Sequence, residues 1–169
     1  VRRASIPELD LVLIGHMDAD AKKAVDKSGI PLRHLGVLAR AQLAEHYSQA
    51  SVLVLPSLEE GLALVQAQAM ACGVPVIATT NTGAEDLFTD GSEGFIVPIR
   101  DPDAIGAKLI YLYEHPEARD AMGAAALARV RAIGGWNSYG EKMAAMYQSA
   151  LEERTGQHGG LVTKGPTDA

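Results

Sequence analysis

The residues whose types and spacing point most clearly to chemistry lie between positions 56 and 73, in the run PSLEEGLALVQAQAMACG. An apolar strand ends where this run begins, and the apolar spacing predicts a helix over 61–72. The first N–H groups of a helix have no acceptor inside the helix. Here those groups belong to Leu62, Ala63 and Leu64. With the helix dipole they form a site for an anion such as a diphosphate, and Gly61 lets the ligand approach the backbone closely.

Two side chains flank this predicted anion site. Glu60 stands directly before it, and its carboxylate can accept hydrogen bonds from sugar hydroxyls while interacting favourably with the positive helix end. Gln68 follows eight residues later, which on a helix places it about 12 Å along the axis. The two side chains are therefore spaced to hold opposite ends of one extended ligand. Taken alone, Glu59 and Glu60 are better explained as charges that stabilise the helix dipole, and Gln68 is most simply a solvated helix position.

Strands and helices alternate around this run in the pattern of a parallel sheet with helices on both faces. Short, continuously apolar runs predict five buried strands, at 9–15, 32–36, 51–56, 75–79 and 94–98. Helical spacing predicts helices at 19–28, 40–49, 61–72, 83–89, 102–115, 117–132 and 137–152. The fold class is therefore α/β. Ligands of such sheets bind beyond the carboxyl ends of the strands, where the run at 56–73 lies.

Local signals support these elements. Asp18 and Asp101 are predicted N-caps, and Gly73 is predicted to end the helix over 61–72 in a left-handed turn. One set of small residues recurs every four positions and predicts a core-facing stripe on that helix. These residues are Ala63, Ala67 and Ala71.

The chain has 169 residues, the size of one ordinary domain, and we predict that domain over 1–152. From Glu153 onward Gly, Thr, Gln and Pro dominate and cannot bury enough apolar area to offset ordering, so a flexible tail is predicted over 153–169. The chain opens on Val1 rather than Met, in what reads as the end of a helix running into a strand. We therefore expect an N-terminal truncation.

Charge and cysteine content exclude several classes of partner. A net charge of −6 argues against a nucleic-acid surface and against direct contact of this domain with an anionic membrane. Cys72 is the only cysteine, which excludes an internal disulfide and a cysteine-rich metal site, and we assign it to packing. The sequence shows no signal peptide and no spanning segment, so we expect a cytoplasmic location.

Further polar residues lie at the predicted sheet edge. His16 follows the first strand, and with Asp18 and Asp20 it could hold a metal ion. Helix capping by Asp18 explains the same pattern more simply, so we predict no metal. Thr82 and Gly83 lie in the turn after the fourth strand, either as a helix cap or as a second lip of the ligand cleft.

These motifs together resemble a known family, the retaining group-1 glycosyltransferases of GT-B architecture. The similarity is to their C-terminal domain and extends over roughly residues 9–150. It rests on the runs PSLEEG (56–61), AMACGVPVIAT (69–79), GAED (83–86), DG (90–91), GFIVP (94–98) and DP (101–102). The resemblance implies a Rossmann-like domain, the C-terminal half of a GT-B fold, that binds the nucleotide-sugar donor of a hexosyltransferase.

The resemblance also implies roles for individual residues. Glu60 stands where the family's glutamate contacts the transferred sugar, and Gln68 stands where a second glutamate holds the ribose. The backbone that meets the donor's sugar and phosphates corresponds to Gly61, Leu62, Ala63 and Leu64. The backbone against which the nucleobase lies corresponds to Leu35, Gly36 and Val37. His16 takes the place of a glycine-rich turn at the same edge.

Two departures from the family pattern matter. Gln68 can still accept from a ribose hydroxyl, but it loses charge assistance, at a cost of about 1 kcal/mol. The Arg and Lys that neutralise the leaving diphosphate in the family would lie upstream of Val1. Because stabilising that charge is a large part of catalysis, we expect this chain alone to transfer no sugar.

The expected partners are a nucleotide-sugar donor and an acceptor-binding N-terminal domain of the same enzyme, with no cofactor. Two alternatives stay open: a non-catalytic nucleotide-sugar-binding module, motivated by Gln68 and the absent cations, and a nucleotide-sugar epimerase of the same architecture. The opening Glu60-Gly61-Leu62 and the run at 69–73 favour transfer over epimerisation. The sequence identifies neither the nucleobase nor the acceptor.

Overall fold

Parallel strands and helices alternate along the chain, as the apolar pattern predicts. The computed structural model describes residues 6–7 and 9–158. All five predicted strands are present: β1 (Val12–Leu13), β2 (Arg33–His34), β3 (Leu53–Leu55), β4 (Val76–Thr79) and β5 (Gly94–Val97). The seven helices of the described residues are α1 (Ala19–Ser28), α2 (Arg40–Gln49), α3 (Leu64–Ala71), α4 (Ala84–Leu87), α5 (Pro102–Glu114), α6 (Pro116–Ile133) and α7 (Trp136–His158).

The strands form two parallel sheets rather than the single sheet predicted. β1 pairs with β2, and β3, β4 and β5 form a second sheet in that order. Within the described residues no strand pairing joins the two sheets. β4 is buried along its whole length because it has a hydrogen-bonded neighbour on each side and helices against it. The carboxyl ends of β3 and β4 therefore meet at one edge.

The chain divides into two compact units, and this boundary falls inside the range predicted as one domain. The first unit ends at Ala132 and contains both sheets. Its core includes Met70 and Phe88 in one cluster, and Ile77 and Leu109 in another. β4 contributes to both clusters, so it is the element around which the unit packs.

The second unit begins at Ile133 and contains α7. Within it, the rings of Trp136 and Tyr139 meet edge to face with centroids 6.0 Å apart. α7 continues to His158, so the predicted helix end at 152 is wrong, and the first part of the predicted tail is helical. The rest of that tail, residues 159–169, lies outside the described residues. None of the described helices is long and apolar enough to cross a membrane.

The end of α3 matches its prediction, but its beginning does not. Gly73 adopts φ 75°, its N–H donates to Met70 O at 2.9 Å, and Val74 N–H donates to Ala69 O at 3.1 Å, which is a Schellman ending. The helix begins at Leu64 rather than at 61. The residues buried on it are Gln66, Ala69 and Met70. The predicted stripe is confirmed at Ala63, which is buried, and at Ala67, which packs against the first core cluster, but it is wrong at Ala71, which is exposed.

Cys72 packs against the first core cluster, which confirms its assignment to packing. Its Sγ lies 3.9 Å from Ala44 O. Burial, with a smaller contribution from Cys72, raises the pKa of the nearby Tyr47. The phenol therefore stays neutral and behaves as part of the core.

Both predicted N-caps are confirmed. Asp18 Oδ1 accepts from Ala21 N–H at 2.7 Å, and Asp101 Oδ1 accepts from Ala104 N–H at 2.9 Å, with Pro102 at the first helical position of α5. Each carboxylate satisfies a donor that its helix cannot.

Asp101→Ala is expected to lower the free energy of unfolding by about 1 kcal/mol, because it removes the cap of a helix that packs on the core. For a chain of this size the melting temperature should fall by roughly 2–4 °C. Asp101→Asn, which keeps a capping oxygen, should stay within a few tenths of a kcal/mol of the parent. An equal loss in both variants would contradict a capping role.

Candidate functional site

Two loops at the carboxyl ends of β3 and β4 lie directly against each other. They are the β3–α3 loop (residues 56–63) and the β4–α4 turn (residues 80–83). Glu60 N–H donates to Asn81 O at 2.7 Å, and Ala63 N–H donates to Thr82 O at 3.4 Å. These two bonds draw residues 60–63 out of helical geometry, which is why α3 begins at Leu64.

Two buried threonines support this contact from below. The hydroxyl of Thr79 donates to Ser57 O, and it also lies 3.3 Å from Leu55 O. The hydroxyl of Thr82 donates to Thr79 O at 2.6 Å. Because Thr82 is 0% exposed and its hydroxyl is engaged, its side chain supports the loop in this conformation, which favours the turn alternative over the second lip of a ligand cleft.

The β4–α4 turn contains two residues in left-handed conformations. Asn81 has φ 68° and Gly83 has φ 69°. A Cβ built on Gly83 would lie 2.5 Å from Gly61 O, so the two loops approach each other too closely for any side chain at that position. Gly83 therefore lies at the contact between the loops, beneath the predicted ligand site.

Glu60 and Gly61 are exposed at the top of this contact. The hydroxyl of Ser57 is 3.5 Å from Glu60 Oε1, which leaves the carboxylate free to accept from other groups. A Cβ built on Gly61 would meet nothing within 4 Å, and its φ is not left-handed. Within the described residues, neither a packing contact nor a left-handed φ therefore requires a glycine at this position.

The backbone donors beside Glu60 are fewer than the sequence predicts. Within the described residues, the N–H groups of Leu62 and Leu64 have no protein acceptor, whereas that of Ala63 donates to Thr82 O. In this conformation the Ala63 amide is engaged within the protein, and its role toward a ligand stays a prediction. Leu62 and Leu64 are themselves 54% and 50% exposed.

Gln68 lies on α3 and is half-buried. Because residues 60–63 are not helical, the predicted separation of about 12 Å along one helix axis does not apply. Gln66, which the sequence analysis did not select, is fully buried in the first turn of α3, and its Nε2–H donates to Thr82 O at 2.8 Å. In the sequence, Gln66 stands among small apolar residues on the side of α3 that faces the core. This pattern could have indicated a buried glutamine.

The remaining predicted site residues form a second group, at the carboxyl ends of β1 and β2. Gly15 N–H donates to Gly36 O at 2.8 Å, and a ring nitrogen of His34 lies 2.9 Å from Gly15 O. This places His16 beside the β2 end. The predicted nucleobase contacts are Leu35, Gly36 and Val37. Val37 is 78% exposed. No hydrogen bond within the described residues links this group to the two loops around Glu60.

The metal alternative at His16 gains no support. Asp18 is engaged as an N-cap, and no three potential metal-binding side chains come together anywhere in the described ranges.

A cleft of about 630 Å³ lies elsewhere, between α1 and β2, lined by residues such as Met17, Val25, Ile30 and His34. It contains none of the predicted site residues, and its polar side chains are those of Lys22, Asp26 and His34. The exposed carboxylate and free amides near Glu60 offer the more specific chemistry for a hydroxylated anion.

The comparison with known proteins adds an independent assignment. The model of the family described as glycosyl transferases group 1 matches residues 1–129. The D-inositol 3-phosphate glycosyltransferase of Kineococcus radiotolerans is 32% identical over an alignment of 149 residues, and the alignment covers 83% of this chain and 34% of that protein. The chain thus spans about a third of the length of this curated relative.

Solved structures show the same fold. Sucrose-phosphate synthase of Thermosynechococcus elongatus matches with a TM-score of 0.77 at 28% identity, over 89% of this chain and 41% of that chain. HepE of Anabaena in complex with UDP-glucose matches with a TM-score of 0.77 at 19% identity, over 85% of this chain and 42% of that chain. At 19% identity, the similarity to HepE concerns the fold alone.

Proposed function

The chain belongs to the group 1 glycosyltransferases, and we propose that it provides the donor-binding half of a sugar-transferring enzyme that acts with retention. One observation supports this role above the others. Glu60 and Gly61 lie exposed beside the unpartnered N–H groups of Leu62 and Leu64, at the carboxyl edge of a parallel sheet. That edge is where open α/β sheets bind their ligands.

In this proposal the donor lies across the entrance of α3. The N–H groups of Leu62 and Leu64 donate to the phosphates, and the Glu60 carboxylate accepts from hydroxyls of the sugar. Transfer breaks the bond between the anomeric carbon and the diphosphate and forms a bond from that carbon to the acceptor oxygen. The nucleoside diphosphate leaves, and the configuration at the anomeric carbon is kept.

Two other parts of the predicted site hold the nucleoside. Gln68 accepts from a ribose hydroxyl, and the backbone around Gly36 faces the base. This arrangement needs no cofactor and no metal. An acceptor-binding N-terminal domain closes over the donor, because an activated sugar must be kept from water.

A nucleotide-sugar-binding module without catalysis is the second candidate. Gln68 favours it, since an amide in place of a carboxylate binds ribose less strongly. A transfer assay on a protein in which this chain is joined to the proposed acceptor-binding domain separates the two candidates, because a module binds donor but releases no free nucleoside diphosphate in the presence of acceptors.

The test of the proposal is calorimetric titration of the purified chain with UDP, GDP and ADP, and then with the matching nucleotide-sugars. We expect one base to be preferred and its sugar conjugate to bind about tenfold more tightly than the bare nucleotide, because Glu60 adds charge-assisted hydrogen bonds. A transfer assay on the same chain should show no turnover above a Glu60→Ala control. Folded protein that binds no nucleotide-sugar would overturn the proposal.

A further inference from the structure

One polar side chain lies wholly inside the contact between the β3–α3 loop and the β4–α4 turn. Gln66 is 0% exposed, and its Nε2–H donates to Thr82 O at 2.8 Å. Its Oε1 is buried and meets no protein donor within the described residues. A buried amide oxygen without a partner destabilises a fold, so packing alone would favour an apolar side chain here. The glutamine is therefore better explained by what its amide holds in place.

A short chain of hydrogen bonds runs from Gln66 to Glu60. Thr82 O accepts from the Gln66 side chain and also from Ala63 N–H at 3.4 Å. The preceding carbonyl, Asn81 O, accepts from Glu60 N–H at 2.7 Å. Gln66 thus fastens the turn on which the backbone of Glu60 depends.

The turn contains two left-handed residues, Asn81 with φ 68° and Gly83 with φ 69°, and both residue types adopt this conformation readily. Its position therefore depends on the bonds that tie it to neighbouring segments. In the described residues, Gln66 is the α3 residue whose side chain bonds this turn. Without it, the turn is held through the Thr82 hydroxyl, the bond from Thr80 N–H to Val97 O at 2.9 Å and the two backbone bonds from the β3–α3 loop.

We propose that Gln66 is a positioning residue of the donor site: its amide fixes the β4–α4 turn against α3 and so sets where the Glu60 carboxylate meets the donor's sugar. The inference rests on the proposed function of Glu60. Gln66 touches no ligand in this scheme and acts through Thr82 and Asn81. Its removal should therefore weaken recognition of the sugar and leave recognition of the bare nucleotide nearly unchanged.

The test is a double-mutant cycle between Gln66→Met and Glu60→Ala in the purified chain, with titration of the preferred nucleotide-sugar and of its bare nucleotide. In the parent, Glu60→Ala should cost about tenfold in nucleotide-sugar affinity; in the Gln66→Met background it should cost less than about threefold. The bare nucleotide should show no such coupling. Gln66→Met should also speed hydrogen exchange of the Glu60 amide while the β4 amides stay protected. Gln49→Met, at an exposed position of α2, serves as the matched control.

Each outcome is decisive. Equal Glu60→Ala effects in both backgrounds, with a folded variant, would overturn the positioning role and leave the proposed function standing. A folded parent that binds no nucleotide-sugar would overturn both. If Gln66→Met does not fold, Gln66→Glu, which keeps the length but replaces the donor by an oxygen, takes its place in the cycle. Failure of both variants to fold would show that Gln66 supports the whole domain, and this too would overturn the inference.

Discussion

Glu60→Ala is expected to weaken nucleotide-sugar binding by the purified chain about tenfold or more, and to change the affinity for the bare nucleotide by less than about twofold. The expected size follows from hydrogen bonds to a charged group, which contribute about 1.5–3 kcal/mol each. The selectivity follows from the proposed arrangement, in which the carboxylate exposed beside Gly61 meets the sugar and backbone N–H groups meet the phosphates. Isothermal titration of both ligands measures the two effects.

The neighbouring carboxylate supplies the matched control. Glu59 is exposed on the same loop and carries the same charge. Glu59→Ala should therefore leave both affinities within about twofold of the parent, since a surface charge near a helix end contributes well under 1 kcal/mol. Equal losses for nucleotide and nucleotide-sugar in Glu60→Ala would contradict the role given to Glu60.

Gly83→Ala is expected to lower the free energy of unfolding by at least about 2 kcal/mol. A residue with a side chain in the left-handed region costs about 1–2 kcal/mol, and overpacking adds about 1–3 kcal/mol. Both apply here, because Gly83 has φ 69° and a Cβ would lie 2.5 Å from Gly61 O. Thermal unfolding should show a fall in melting temperature of roughly 4 °C or more.

Gly61→Ala is the counterpart across the same contact. Its Cβ would meet nothing within 4 Å, so stability should stay within about 0.5 kcal/mol of the parent while nucleotide-sugar affinity falls. Together the two variants distinguish Gly83, which the fold requires, from Gly61, which ligand binding requires. Destabilisation by Gly61→Ala, or unchanged binding in that folded variant, would contradict this division.

Helices were the elements best predicted from sequence. α1 and α2 begin and end where predicted, and α5 begins at Pro102 after the Asp101 cap. Such boundaries depend on local chemistry: a capping carboxylate satisfies nearby N–H groups, and a glycine can turn left-handed. Strand positions were also correct, but the strands are shorter, because the length of a strand depends on where its neighbour offers hydrogen-bonding partners.

The candidate site was predictable in part. The position of Glu60 and Gly61 at a strand's carboxyl end follows from the α/β pattern, and the family resemblance follows from the motifs around them. The beginning of α3 was not predictable, because Glu60 and Ala63 donate to carbonyls of residues about twenty positions away. Local propensity carries no information about such long-range acceptors.

The sequence by itself therefore determined the fold class, the family, the helix caps and the loop that carries the carboxylate, because each depends on residues close together in the chain. Only the tertiary structure decided that the N–H groups of Leu62 and Leu64 have no acceptor within the described residues, that Thr82 is buried, and why Gln66 faces the core. Those features arise where the loop after β3 meets the turn after β4, and hydrogen bonds between separate segments form only once the sheet has brought them together.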